Sequence, residues 1–395
     1  MFETMTRRKF IQRGAAGLAL ASVASVGGGA CALQPKIGPL PQGQRLERIT
    51  ASPNYVDGAF RNQLPTPMMT SGKGQLAIMW DFLFVPKERL RPDHPLPMLK
   101  TDLKALATGS DDAVVWLGHS SLFLRLGGNT VLVDPVFSSF AAPLFFMNRA
   151  FDGVYPYSPA DIPDIDLLAI SHDHWDHLDH DTVVALRPRI KAVVCSLGVG
   201  AILEDWGFDP ARIHEADWNE DVRLAQNLTV HVLPARHFSG RWLTRNKTLW
   251  AGFLLETPDR KVFYSGDSGY GPHFADIGAK FGPVDLAIME DGQYDPGWRN
   301  IHMMPEEVAQ GALDLGAKAL LPVHSGRFCI SNHAWDDPYK RIAAASAGKA
   351  FRLLTPRIGE AADLNGRPQR FANWWEAEAQ VADGGRLLQN AARYE

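Results

Sequence analysis

Ser171-His172-Asp173-His174-Trp175-Asp176-His177-Leu178-Asp179-His180 packs four histidines and three aspartates into ten residues. The whole chain has 13 histidines in 395 positions, so composition alone would put fewer than one in such a window. The run follows residues 165–170, a short apolar stretch that reads as a buried strand. His172, His174, Asp176 and His177 fit the pattern His-x-His-x-Asp-His. Imidazole and carboxylate are the ligands of hydrolytic zinc. At this spacing, on a loop directly after a strand, they can converge from two sides on a pair of metals. His180 falls on the helix expected over 179–186 and points away.

Further ligand-type residues stand just past the ends of other strands. The apolar run 228–233 leads into Pro234-Ala235-Arg236-His237. Residues 261–264 lead into Ser265-Gly266-Asp267, and 319–323 lead straight into His324. Loops beyond the carboxyl ends of strands are where layered α/β folds place their sites. More strands are expected at 113–117, 121–126, 130–133, 191–195, 249–256 and 285–289. A helix is expected over Pro305–Leu315, with Pro at its start, Glu306 and Glu307 in the first turn and Gly316 past its end. Strands with helices between them indicate a layered α/β architecture.

Together these residues resemble the metallo-β-lactamase superfamily over roughly residues 108–355. The resemblance implies a four-layer αββα sandwich with a dinuclear site at one edge. It implies that His172, His174 and His237 hold one metal, that Asp176, His177 and His324 hold the other, and that Asp267 bridges them. Two divalent ions are implied. Zinc suits the ligand set best, and iron or manganese fit the same cage. The implied nucleophile is a metal-bridging hydroxide, with Asp176 or Asp267 taking its proton.

Several segments resemble one branch of that superfamily, the one containing N-acylphosphatidylethanolamine-hydrolysing phospholipase D. They are Trp116-Leu117-Gly118-His119-Ser120-Ser121, Asp134-Pro135-Val136-Phe137, Glu215-Ala216-Asp217-Trp218, Gly266-Asp267-Ser268-Gly269-Tyr270, Phe281-Gly282-Pro283-Val284-Asp285-Leu286, and His302 followed by Pro305-Glu306-Glu307. Asp57-Gly58-Ala59-Phe60-Arg61-Asn62 ahead of Pro65-Thr66 belongs with them. The branch implies a phosphodiesterase acting on a lipid substrate. A lactonase or other carbonyl-ester hydrolase is the alternative, and a non-catalytic metal-binding scaffold a third reading. The chain departs from the branch at Glu290-Asp291-Gly292-Gln293-Tyr294, where relatives carry an apolar Pro-Ile-Gly-Ala-Tyr type of stretch. Gly297 replaces a usual Arg, and Ser325 a common Trp. Two added carboxylates and a lost cation are expected to weaken binding of an anionic head group.

His119 and His302 are candidate acids, or groups that grip an oxyanion. Each also reads as a structural histidine. Asp134 is expected to orient a metal-bound imidazole rather than bind metal. Residues 137–151 are rich in Phe and are expected either to wall the pocket around an acyl chain or to pack on the N-terminal arm.

The remaining sequence divides into three parts. Residues 1–32 hold Thr6-Arg7-Arg8-Lys9-Phe10-Ile11 ahead of a short Ala/Gly-rich apolar run, which resembles a twin-arginine export signal and implies a periplasmic protein. Ala30-Cys31-Ala32 offers a cleavage site, or a lipidated Cys31. Residues 33–107 are broken by prolines and read as an arm wrapped on the domain that follows, with one short element at 75–85. The hydrolase domain is expected over 108–358 and a tail over 359–395. The net charge of −4 gives no sign of a nucleic-acid partner. It becomes −7 without residues 1–32, which makes an anionic membrane surface less attractive, and any membrane contact is expected to be peripheral. Three cysteines without a C-x-x-C pair exclude a disulfide framework or a thiolate cage. Oligomeric state is not legible.

Overall fold

Side chains alternate along the strands, and both faces they reach are apolar. In β4 (Leu122–Leu126), Leu122, Leu124 and Leu126 pack in one core and Phe123 in another. In β12 (Lys261–Tyr264), Val262 and Tyr264 face one way and Phe263 the other. A sheet apolar on both sides has to be covered on both sides. Two sheets therefore pack face to face with helices outside them, which is the expected αββα sandwich.

The computed structural model describes residues 35–72, 80, 85, 87–142, 147–153, 157–224 and 227–376. The expected export signal with Cys31 lies outside them, as do Phe145, Phe146 and most of the element expected at 75–85. Among the described residues, no helix is long and apolar enough to cross a membrane.

The arm carries α1 (Gly43–Ala51) and a hairpin of β1 (Tyr55–Val56) and β2 (Ala59–Phe60). It then leads to α2 (Leu103–Thr108), capped by Asp102. The first large sheet runs β16–β3–β4–β5–β6–β7–β8 and the second β15–β14–β13–β12–β11–β10–β9. The first holds β3 (Ala113–Trp116), β4, β5 (Asn129–Val133), β6 (Ile165–Ile170), β7 (Ile190–Ser196), β8 (Ile213–Ala216) and β16 (Ala361–Asp363). The second holds β9 (Asp221–Leu224), β10 (Leu228–Leu233), β11 (Gly252–Glu256), β12, β13 (Leu286–Glu290), β14 (Ala319–Val323) and β15 (Arg352–Leu353). Both sheets have three antiparallel pairings followed by three parallel ones, although the sequence shows no repeat.

Val114, Leu124, Val131 and Val133 meet Val230, Phe253, Leu255 and Val262 between the sheets. Outside the first sheet, Phe123, Leu132 and Leu168 lie beneath α3 (His180–Leu186) and α4 (Gly200–Asp205). Outside the second, Leu254, Phe263 and Ala287 lie beneath α5 (His273–Phe281), α6 (Pro305–Asp314) and α7 (Asp337–Ser346).

Strands β6, β10, β12 and β14 match the expected ranges end to end. The strand expected over 249–256 begins only at Gly252. Before that, Leu249 N–H bonds Leu197 O and Ala251 N–H bonds Ser171 O, so the chain crosses to the other sheet there. The boundary expected at 358 falls inside the fold, because residues 361–363 pair with β3 as the outermost strand. Further out, Trp374 and Trp375 pack on Tyr339, and Trp374 also lies against Trp116.

Candidate metal centre

The ends of β5, β6, β12, β13 and β14 meet at one edge of the sandwich. Strand parity alone would send His324 to the same outer face as Leu320. A left-handed backbone at His324 (φ 66°) turns it back toward the centre. His119 (φ 52°) and Asp134 (φ 40°) are left-handed too, a concentration of backbone strain found at functional sites. Gly266 (φ 56°) precedes Asp267, and a Cβ there would stand 2.5 Å from Ala251 O, so only glycine fits. The His119 and His324 loops are tied by His119 N–H to Ser325 O and His324 N–H to His119 O, both 2.9 Å.

Two groups of donors result, with the ligand atoms of each within 4.8 Å of one another. The first is His172, His174, His237 and Asp267, and the second is His119, Asp176, His177 and His324. His174 Nδ1 lies 2.9 Å from His172 Nε2 and 3.2 Å from His237 Nε2. Asp267 sits between the groups. Its Oδ2 is 3.1 Å from His177 Nε2, 3.6 Å from His237 Nε2 and 3.8 Å from His172 Nε2. Its Oδ1 is 3.3 Å from His324 Nδ1. The structure thus brings all seven residues of the expected ligand set together.

The outward nitrogens are held by acceptors. Asp134 Oδ2 takes His177 Nδ1 at 2.8 Å, and is itself fixed by Tyr264 O–H (2.6 Å) and Ser171 Oγ (2.5 Å). His237 Nδ1 bonds Ile301 O at 2.9 Å. An acceptor on the far nitrogen fixes the tautomer of a ligating imidazole. Asp134 therefore has the orienting place expected of it.

The donor set fits a pair of divalent cations. His177 Nε2 and Asp267 Oδ1 are buried at the centre and make no hydrogen bond, a costly condition unless a cation takes their lone pairs. Burial, with repulsion from neighbouring imidazoles, holds the pKa of His172, His237 and His324 well below the usual histidine value, so these rings are neutral. Burial likewise lowers His174. At His177 burial opposes the charged form, but Asp267, Asp176 and Asp134 outweigh it and raise the pKa. Burial also works against ionisation of Asp267 and Asp176, and there the surrounding imidazoles win and keep both carboxylates well below their usual range.

A cleft of about 290 Å³ opens over these residues. His174, Asp176, His237, Asp267 and His324 form its floor, His302 stands on its wall, and Met69, Trp175, Phe238, Trp298, Ile301 and Ile330 make the wall apolar. Ala141 and Asn148 also line it, on either side of Phe145 and Phe146 in sequence. No Lys or Arg is among the described lining residues.

Of the two candidate acids, His302 lines the cleft and His119 does not. His119 is fully buried beneath the floor, with Nε2 on Asp176 Oδ2 at 2.9 Å. That place suits holding Asp176 rather than meeting substrate.

The expected effect of Glu290 and Asp291 needs correcting, since neither side chain lines the cleft. Glu290 is spent on His302 Nδ1 (2.8 Å) and Met303 N–H (2.6 Å). Asp291 is wholly buried, and burial with the adjacent Glu290 raises its pKa well above the usual carboxylate value. At Gly297 an added Cβ would stand 2.9 Å from Asp295 Oδ1.

Residues 129–325 match the family described as Beta-lactamase superfamily domain. An uncharacterised protein of Mycobacterium tuberculosis is 40% identical over 329 residues, 82% of this chain and 87% of that protein. The N-acyl-phosphatidylethanolamine-hydrolyzing phospholipase D 1 of Caenorhabditis elegans is 30% identical over 263 residues, 62% of this chain and 72% of that one. Among solved structures, a mutant of the CmlA beta-hydroxylase superposes with a TM-score of 0.50 at 21% identity, over 65% of this chain and 54% of that one, which shows a shared fold.

Proposed function

The chain belongs to the metallo-β-lactamase superfamily of hydrolases, and from that membership we propose a dinuclear metal-dependent phosphodiesterase of the N-acylphosphatidylethanolamine phospholipase D type. The observation that carries the proposal is Asp267, one carboxylate set between two groups of buried imidazoles at the floor of an apolar cleft. Sites that carry out in-line phosphoryl displacement pair two metals in this way.

In this reading His172, His174 and His237 hold one ion, and Asp176, His177 and His324 the other, with Asp267 shared. Zinc suits the donors best. Bound there, the two ions supply a water of lowered pKa and positive charge for the attacking and leaving oxygens. In this reading Asp176 or Asp267 would take up the proton released, and His119 keeps Asp176 aimed. His302 is assigned to the leaving oxygen, because it is the one imidazole on the described cleft wall outside both donor groups. The apolar walls exclude water and receive acyl chain. In the reaction the water oxygen joins phosphorus, the bond to the N-acylethanolamine oxygen breaks, and that oxygen leaves with a proton. The absence of Lys and Arg from the described lining favours a second reading, hydrolysis of an uncharged carbonyl ester such as a lactone.

Zinc-loaded protein should be offered N-acylphosphatidylethanolamine, bis(p-nitrophenyl) phosphate and a series of lactones. The proposal expects phosphatidate from the lipid and loss of the activity in Asp267→Ala and His237→Ala. Lactone hydrolysis without any P–O cleavage would select the second reading. We also infer export to the periplasm, from the Arg7-Arg8 segment. Fusing residues 1–32 to a reporter that requires twin-arginine export tests it, and retention in the cytoplasm would reject it.

A further inference from the structure

The geometry points to a phospholipid-docking apex at Trp242 and Leu243, on the loop that flanks the cleft. Leu243 is 87% exposed, the most of any large apolar side chain among the described residues, and Trp242 beside it is 48% exposed. Large apolar side chains are normally buried or, when exposed, scattered singly. Here two stand together at the apex of one loop.

The loop is firmly held. At its stem Asn246 N–H bonds Ser239 O at 3.1 Å, and Ser239 N–H bonds Asn246 Oδ1 at 3.2 Å. The chain closes on itself at Gly240 (φ 142°), where an added Cβ would stand 2.7 Å from Thr244 O. Arg241 is the root. Its buried guanidinium lies 4.1 Å from the Trp175 ring centroid and donates to Asp173 O, Leu178 O and Lys36 O, each at 2.8 Å. The cation is thus spent inside the fold, and the two apolar residues after it are held out in solvent.

Both sides of the apex abut the cleft. Trp175, on the cleft wall, donates its indole N–H to Arg241 O at 2.7 Å. Arg245, just past the apex, lies over Phe238 of the same wall, with its guanidinium 5.3 Å from the ring centroid. The exposed apex therefore stands beside the apolar wall.

A lipid surface fits this apex better than a protein does. Two side chains fall well short of the about 1,000 Å² that a specific protein interface needs. A bilayer needs only an inserted apolar tip, and Trp is enriched at the level of its headgroups. Residues 238–248 include Arg241, Arg245 and Lys247 and no acid, on a chain whose net charge is −4. Exposed Arg245 can meet headgroup phosphate while the apex enters the acyl region. That docking brings the cleft to its lipid substrate rests on the function proposed above, whereas the docking itself needs no turnover.

The test is binding of the full chain to phosphatidylcholine vesicles whose acyl chains carry bromine, which quenches tryptophan on contact. Wild type should be quenched as it binds. Trp242→Phe, which keeps an aromatic apex, should bind and lose most of that quenching. Trp242→Ser combined with Leu243→Ser should bind about 10-fold or more weakly, at low and high salt alike. Residues 1–32 are common to all three proteins, so the differences report the loop. Equal binding by wild type and the double variant overturns the proposal. So does quenching that survives in Trp242→Phe, which decides the case even where the double variant fails to fold, or wild-type binding that salt abolishes. A wild-type dimer that the double variant separates would assign the apex to a second copy of the chain and overturn it too. Protein that docks through the apex yet cleaves no phosphodiester would remove the function proposed above and leave the docking surface standing.

Discussion

The side-chain amide of Asn62 closes on the backbone of His237. Its Nδ2 donates to His237 O at 2.8 Å and its Oδ1 accepts His237 N–H at 3.0 Å. Trp250 Nε1–H reaches the same Oδ1 at 3.1 Å. The arm therefore supplies both backbone hydrogen bonds of a residue assigned to metal binding. The next stretch of arm grips the preceding residue, with Arg236 bonding Thr66 Oγ1, Pro65 O and, from the domain itself, Tyr270 O.

Asn62→Ala should weaken metal retention before it unfolds the protein. Outer contacts of this kind are worth roughly 10–100-fold in metal affinity. Chelator competition should show one ion released that much more readily, and the other little changed. Equal retention in wild type and variant would show that the arm does not position His237.

Asp134 accepts bonds from Ser171 N–H, Ser171 O–H, Tyr264 O–H and His177 in a fully buried place. Removing the carboxylate leaves those donors without a partner. Asp134→Ala should lose about 3 kcal/mol or more of stability, read from urea unfolding of the metal-free protein. A loss under about 1 kcal/mol would mean that water replaces the carboxylate.

The imidazoles set a pH dependence for the metal-free protein. Burial lowers His172, His174, His237 and His324 below the ordinary value, about 6.5 in an unfolded chain. Below that pH the unfolded chain takes up protons that the fold refuses. Stability from these groups is thus present above pH ~6.5 and drains as the pH falls toward 5, by ~1.4 kcal/mol per pH unit for each proton difference. Urea midpoints should drop between pH 7 and pH 5, and zinc should raise the midpoint at each pH without flattening the slope. A flat profile would contradict the neutral state assigned to the rings.

Trp298 lines the cleft and is fixed by its Nε1–H to Gln293 O at 2.8 Å. If the apolar wall receives an acyl chain, Trp298→Ala should raise KM for long-chain substrates about 10-fold or more, in line with the burial of one large side chain. Short-chain substrates should hardly change. Equal losses for both would assign Trp298 to folding instead.

The layers and the seven-residue donor set were legible because both follow from short-range pattern. Apolar runs of four to six residues marked β6, β10, β12 and β14, and a ligand-type residue stood at or near the end of each. Elements whose burial depends on distant partners were harder to read. Strand β9 alternates Asp221 and Arg223 with half-buried Val222 and Leu224, and β16 is three residues at the sheet edge beside β3. The place of His119 beneath Asp176 rests on a left-handed turn that no spacing rule announces. The pairing of Glu290 with His302 joins residues 12 apart, so the sequence shows two added charges where the structure shows one anchored imidazole.

Metal content tests the central claim most directly. Elemental analysis of protein isolated without chelators should find about two ions per chain, and fewer than one in Asp267→Ala, which removes the carboxylate shared by both groups. No metal in the wild type, or two ions kept by Asp267→Ala, would contradict the account.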